Sequence, residues 1–171
     1  VGSVRALRNL QVISSYGAGI DHLISDPDVL DSEIKVVRLV DHALKTGMQR
    51  YVVGAILAHH THAGLYRAQQ REKSWVRHSN KLLPIVAVIG LGELGGAVAG
   101  TLLGMGFEVH GFVRSPRQMQ GIQIHCGSNG FANAVRDADY VVSLLPLTSE
   151  TSAFFNKKRF GMMKNCLLYT S

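Results

Sequence analysis

"VIGLGELG", Val88 to Gly95, decides how the rest of the chain is read. Three glycines in a G-x-G-x-x-G spacing are a weak signal alone, and gain weight only where a strand runs into them and a helix leaves. Both are present. "PIVAVI", Pro84 to Ile89, is a short apolar, β-branched run that suits a buried strand over Ile85 to Ile89, and "LGGAVAGTLLGMG" supplies a helix over Leu94 to Leu103. In such a unit Gly90 permits the tight turn, Gly92 removes a side chain so that a pyrophosphate can approach the backbone, and Gly95 lets helix and strand pack closely. Unpaired N–H groups at the helix start face the phosphates and stabilise their charge. Gly90, Gly92, Glu93, Leu94 and Gly95 are therefore the first cofactor-binding candidates, with Glu93 read as solvent-facing rather than catalytic. The alternative is a glycine turn in a flavodoxin-like or other nucleotide-free sheet.

Working outward, the same rhythm repeats. Strands are expected at Phe107 to Val113, Gln123 to Cys126 and Asp139 to Leu145, with a short helix over Gly130 to Arg136. A helix at "KKRFGMM" and a last strand at "NCLLYT" follow. Alternating strands and helices predict an open, mostly parallel α/β sheet. Upstream, "NLQVISSYGAGIDHL" reads as a strand over Gln11 to Ser15, a glycine turn and a helical start near Ile20. "DPDVLDSEIKVVRLVD" reads as an acidic connection and a strand over Ile34 to Leu39. Between the two regions, Met48, Val52, Val53, Ile56, Leu57 and Leu65 recur at helical spacing, predicting one long helix from Thr46 to about Arg71. Polar "EKSWVRHSNKLLP" is then a linker, with Trp75 its one docking anchor. The domain boundary is expected near Asp41 to Met48, dividing residues 1–45 from 46–171.

Which dinucleotide fits is decided at the end of the second strand of the glycine unit, where an acidic residue would accept hydrogen bonds from the adenosine ribose. "EVHGFVRSPRQ" has no acid after Val113 and offers Arg114, Ser115 and Arg117. An acid repels a 2'-phosphate, whereas arginine pairs with it through short charge-assisted bonds. The turn thus favours NADP(H), with NAD(H) the second possibility; the plainer reading is that these arginines solubilise a surface turn.

Composition narrows the classes. The 171 residues are 46% hydrophobic, enough for a core, with a formal charge of +6. The basic residues are scattered and not interleaved with aromatics, which argues against nucleic acid. Cys126 and Cys166, no secretory leader and no apolar run of membrane-spanning length predict a soluble protein in a reducing, cytoplasmic compartment, a targeting segment ahead of Val1 being left open. "HHTH", His59 to His62, is read as surface or packing histidines on one helix rather than a metal site, since His60 and His62 point to different sides.

"SSYGAGIDHL", "VIGLGELG", "GFVRSP" and "VVSLLPLTSET", in this order and at these separations, resemble the D-isomer-specific 2-hydroxyacid dehydrogenases, and among them the glyoxylate and hydroxypyruvate reductase branch, from Arg8 to Ser171. The resemblance implies an incomplete Rossmann-type doubly wound domain preceded by the end of a flavodoxin-like substrate domain. It implies a small 2-oxo or 2-hydroxy acid as substrate and a homodimer for the complete protein. It places Ala18 and Gly19 at the substrate carboxylate, in keeping with the anion-binding concavity that consecutive backbone N–H groups form, although Gly17 and Gly19 also suit a plain sharp turn. It sets Leu145, Pro146 and Leu147 beside the nicotinamide, with Thr151 either near the cofactor at the start of a helical turn or only capping it. The family's long interdomain and dimer helix has Ala-Glu where this chain has Gln49-Arg50, which puts its partner contacts in doubt.

The reaction of such enzymes needs a hydride, an acid to protonate the oxygen and a cation to hold the carboxylate. The resemblance assigns the last two to an arginine that would directly follow Ser171, a later glutamate and a later histidine; none of the three is in the sequence. The strand end also departs from the family pattern, with Tyr169 where asparagine is usual and Ser171 where glycine or alanine is usual. The expectation is a fragment of an NADPH-linked reductase, inactive alone, with a noncatalytic dinucleotide-binding or protein-interaction polypeptide as the alternative.

Overall fold

The computed structural model describes residues 4–16, 20, 23, 26–39, 41–164 and 167–170. Contacts divide the chain into two units, Val1–Leu44 with Pro146–Ser152, and Lys45–Leu145 with Ala153–Ser171.

In the first unit, β1 (Val12–Ser15) and β2 (Lys35–Arg38) pair in parallel, Val12 opposite Lys35 and Ser15 opposite Arg38. The connection read as a turn contains a single helical turn, α1 (Pro27–Leu30). Its cause is local: Pro27 presets the first helical position, and Asp26 caps it by accepting the Asp28 N–H at 2.9 Å. Of the helical start expected near Ile20, the described residues show Leu23 helical and donating to the Ile20 carbonyl at 2.9 Å; residues 21, 22, 24 and 25 lie outside the described residues.

The second unit is built on a five-stranded sheet. Its strands are β3 (Ile85–Ile89), β4 (Glu108–Phe112), β5 (Ile122–His125), β6 (Tyr140–Ser143) and β7 (Leu167–Thr170), in the order β5-β4-β3-β6-β7. All pairings are parallel. The strand order reverses direction between β3 and β6, which makes the carboxyl ends of those two strands the topological switch point of a Rossmann-type doubly wound sheet.

Period-two alternation sends side chains to two faces. Val86, Val88, Tyr140 and Val142 meet α2 (His42–His60) through Val52, Val53 and Ile56, and α4 (Glu93–Gly104) through Val98, Ala99 and Leu102. Ala87, Ile89 and Val141 meet α5 (Gly130–Val135) through Phe131, Ala134 and Val135. Each fully buried Val, Ile or Leu contributes about 1.5–3 kcal/mol of transfer free energy, so these two apolar layers are the main source of the unit's cohesion. α6 (Lys157–Phe160) is short: Asn156 starts it by accepting the Arg159 N–H at 3.1 Å, and it stops at Gly161.

At the amino end of the sheet, Asp139 clamps three segments. Its carboxylate accepts from Lys81 Nζ at 2.7 Å, the Ile85 N–H at 2.8 Å and Lys164 Nζ at 2.9 Å. Burial alone would raise this carboxyl, but the three donors outweigh it and hold it at about 2.

Two expectations are corrected. The single helix over residues 46–71 is two helices, because α2 ends at His60 and α3 (Ala63–Arg71) follows a turn. His62 takes a left-handed φ of 53°, its N–H reaches back only to the His59 carbonyl, and the Thr61 hydroxyl competes for the Leu57 carbonyl at 2.7 Å. The break separates the part of the segment that packs on the sheet from α3, which buries no residue. "HHTH" therefore does not lie on one helix. Trp75 does not dock either; it is 90% exposed. Polar contacts fasten its linker instead, the His78 N–H donating to Tyr66 Oη at 3.1 Å and the Gln69 amide to His78 Nε2 at 2.7 Å.

Candidate functional site

The turn after β3 has the strain that glycine relieves. Gly90 adopts a φ of +91°, and a Cβ there would stand 3.0 Å from the Leu144 carbonyl oxygen and 3.1 Å from Leu145 Cδ2. The loops that leave β3 and β6 are thus in direct contact at the switch point. Gly95, one turn into α4, is tighter: its Cβ would lie 1.9 Å from the Gly90 carbonyl oxygen. This absent methyl lets α4 lie against β3.

Gly92 differs from both, because an added Cβ would meet nothing within 4 Å. Among the described residues, no packing accounts for a glycine here. It is the N-cap of α4 and has no side chain with which to cap, so the first N–H groups of the helix are left without a side-chain acceptor from that position. An open helix start whose flanking residue carries no Cβ fits a pyrophosphate. Glu93 is exposed and turns away to Lys45, 3.0 Å from its Nζ, while Leu94 is half-buried.

The turn after β4 brings the arginines. Arg114, Ser115 and Arg117 are all exposed. The Arg117 guanidinium reaches back across the turn, its Nη2 donating to the Leu91 carbonyl inside the glycine loop and lying 3.0 Å from Met119 Sδ. No carboxylate occurs between Val113 and Arg117.

Of the candidates after β6, Leu145 is packed against the glycine turn, whereas Pro146, Leu147 and Thr151 belong to the first unit. Thr151 starts no helix. Its hydroxyl accepts the Thr148 N–H at 2.8 Å and donates to the Pro146 carbonyl, so it closes its own loop as a capped turn. Ala18 and Gly19 lie outside the described residues.

Three contributors were missed by sequence reasoning. Gly111, inside β4, leaves room for Leu91, whose Cδ1 would stand 2.3 Å from a Cβ there; Leu91 is consequently 3% exposed and anchors the loop in the core. A glycine inside a strand is the available signal for such a close approach. Gln49 pins α2 to α4, its amide donating to the Ala97 carbonyl at 3.0 Å and to Thr101 Oγ1 at 3.1 Å. The third is Leu91's own carbonyl, which no side-chain pattern marks.

The histidines do not gather at this site. His110, 7% exposed, lies 2.9 Å from the Glu108 carboxylate and 5.1 Å, ring to ring, from His125 in a tilted arrangement, within β4 and β5. Burial, and secondarily the neighbouring His110, lower the pKa of His125 from its ordinary 6.5. His59 and His60 instead flank Tyr140 Oη, each with Nδ1 at 3.4 Å. Among the described residues, no group of three or more His, Cys, Asp or Glu is placed to hold a metal ion, and no helix is long and apolar enough to cross a membrane.

Comparison with known proteins agrees with this geometry. Residues 53–168 match the family model described as D-isomer specific 2-hydroxyacid dehydrogenase, NAD binding domain. The glyoxylate/hydroxypyruvate reductase A of Yersinia enterocolitica is 29% identical over 161 residues, covering 90% of this chain and 51% of the relative. A D-isomer specific 2-hydroxyacid dehydrogenase from Xanthobacter autotrophicus, solved with NADPH and MES, superposes with a TM-score of 0.86 at 29% identity, over 95% of this chain and 52% of that one. An NADPH-dependent glyoxylate/hydroxypyruvate reductase from Sinorhizobium meliloti, solved with NADP and sulfate, gives 0.83 at 32% identity, over 92% and 49%. The chain spans about half the length of the curated relatives it matches.

Proposed function

This chain belongs to the D-isomer specific 2-hydroxyacid dehydrogenase family, and from that premise we propose that it supplies the cofactor half of an NADPH-dependent reductase of glyoxylate, hydroxypyruvate or a similar small 2-oxo acid. The observation that carries the reading is the start of α4: a helix amino terminus next to a Gly92 with open space, at the switch point, overlooked by a turn with two arginines and no acid.

A bound nicotinamide cofactor would supply the hydride. The chain's own part is binding and orientation. Backbone N–H groups at Glu93, Leu94 and Gly95 would hold the pyrophosphate, and the Arg114–Arg117 turn would favour a 2'-phosphate over a free ribose hydroxyl. Leu145, packed on the Gly90 turn, would close the floor on the nicotinamide side, with Pro146, Leu147 and Thr151 continuing that loop. Ala18 and Gly19 would take the substrate carboxylate. The proton donor and the carboxylate-binding cation are not among these groups, so residues 1–171 are expected to bind cofactor without turning substrate over.

The complete enzyme is proposed to work as a homodimer. Leu65 and Tyr66 on α3, with Trp75, Leu82 and Leu83 on the linker, form an exposed apolar series that a second copy would cover.

Calorimetric titration of the 171-residue chain with NADPH and then NADH tests the cofactor reading. Saturable binding that favours NADPH supports it; tighter binding of NADH, or of neither, refutes it. Turnover of glyoxylate by the rigorously purified chain would refute the division of labour.

A further inference from the structure

Arg114 and Arg117 stand three residues apart in one turn, yet the structure gives Arg117 a distinct partner. Its Nη2 donates to the carbonyl of Leu91, 26 positions earlier, between the first two glycines of the loop. Leu91 is held at its other end as well, its side chain buried over Gly111. Met119, which touches the same guanidinium, sits 3.7 Å from where a Cβ on Gly96 would be. The β4–β5 connection is thereby docked on the first turn of α4.

A trans peptide is planar, so its C=O and N–H point in opposite directions. Fixing the Leu91 carbonyl toward Arg117 therefore fixes the N–H of Gly92 toward the other side of the same peptide. The Gly92 backbone is the part of the loop that no Cβ shields and that a pyrophosphate would approach.

We propose that Arg117 is a positioning residue for the glycine loop: it orients the Leu91–Gly92 peptide and so supports the pyrophosphate common to both nicotinamide cofactors, leaving discrimination of the 2'-phosphate to Arg114. This rests on the cofactor reading above. A surface cation whose only work was the 2'-phosphate would have no reason to reach into the glycine loop, and one that orients the loop acts on NADH and NADPH alike.

The experiment compares wild type, Arg117→Met, Arg117→Lys and Arg114→Met in titrations with NADPH and NADH. Loss of one charge-assisted bond to the loop weakens Arg117→Met for both cofactors by about tenfold, with the ratio of the two affinities unchanged. Arg117→Lys, which keeps one donor, recovers part of the loss for both, and Arg114→Met weakens NADPH alone. Loss confined to NADPH in Arg117→Met overturns the positioning role while leaving the cofactor reading standing; a wild-type chain that binds neither cofactor overturns the cofactor reading itself. Hydrogen exchange without ligand gives an independent readout. The amides of residues 92–94 exchange faster in Arg117→Met, and protection equal to wild type would sink the proposal whatever the titrations give.

Discussion

Two alanine substitutions, three residues apart, separate what the glycine loop does for the fold from what it does for a ligand. At Gly95 a new Cβ would sit 1.9 Å from the Gly90 carbonyl oxygen and 2.9 Å from its carbon, both backbone atoms that cannot swing aside. Relief requires α4 to lift from β3 by about 1.1 Å merely to reach the 3.0 Å limit of real contacts. Val98, Ala99 and Leu102, all 0% exposed, would be carried out of their packing with it. Overpacking of this kind costs about 1–3 kcal/mol or more, against roughly 1 kcal/mol recovered from the better helix propensity of alanine. Because both clashing atoms are backbone, the upper end of that cost applies, and Gly95→Ala is expected to destabilise the second unit by about 2 kcal/mol net. Gly92→Ala meets nothing within 4 Å and has a φ of −65° that alanine adopts, so its cost is that of a poorer N-cap, below about 1 kcal/mol. Its effect falls on the ligand, because the methyl occupies the approach to the helix start, and cofactor affinity should drop at least about tenfold, the equivalent of one hydrogen bond to a charged group. Urea unfolding followed by circular dichroism, paired with NADPH titration, reads both effects. A Gly95→Ala chain as stable as wild type, or a Gly92→Ala chain that binds NADPH undiminished, would refute the reasoning at the corresponding glycine.

Other outcomes follow from single contacts. Asp139, held at about 2 against an ordinary 3.8, stabilises the folded chain above pH 4 by about 2 kcal/mol, and this is lost as the pH falls toward 2. Acid titration of stability should show that slope in wild type and not in Asp139→Asn; identical slopes would remove the clamp from the account. His125 is held neutral by burial and by His110, so the unfolded chain takes up a proton first as the pH drops below about 6.5, and stability declines from there downward. Urea midpoints at pH 7.5 and 5.5 should differ in wild type and converge in His125→Phe, with an unchanged difference counting against the part given to the half-buried His125. Gln49→Ala removes both donors that tie α2 to α4, at a cost of about 1–2 kcal/mol, without changing the NADPH-to-NADH affinity ratio.

What was legible in the sequence follows from which interactions leave a periodic trace. β3 and β6 send side chains into two apolar layers and are buried on both faces, so they read as the continuous apolar runs "IVAVI" and "YVVS". The break between α2 and α3 leaves none. Helical spacing of apolar residues continues from Val52 to Leu65 across it, no proline interrupts, and the turn is made by a histidine in a left-handed conformation that glycine would ordinarily mark. Trp75 was misread for a related reason. Size makes an indole the natural anchor of a polar linker, but the linker is held by the hydrogen bonds of His78 to Tyr66 and Gln69, which leave the ring in solvent.

The site divides along the same line. Gly90, Gly92 and Gly95 were legible because a positive φ, an open approach and a helix pressed on a strand each exclude a side chain, and exclusion is written directly as glycine. The arginines were legible as charge but not as geometry, since a bond from Arg117 to the Leu91 carbonyl pairs a side chain with a backbone atom that every residue type carries. Gly111 was the clue within reach. A glycine inside a strand, the fourth residue of "EVHGF", costs stability and calls for a neighbour that needs the space, and the neighbour is Leu91. Had that pairing been inferred, it would have placed the loop's second residue over β4, within reach of the turn that follows β4. The link between phosphate turn and glycine loop, which carries the positioning role of Arg117, thus depends on a methyl group missing from inside a strand.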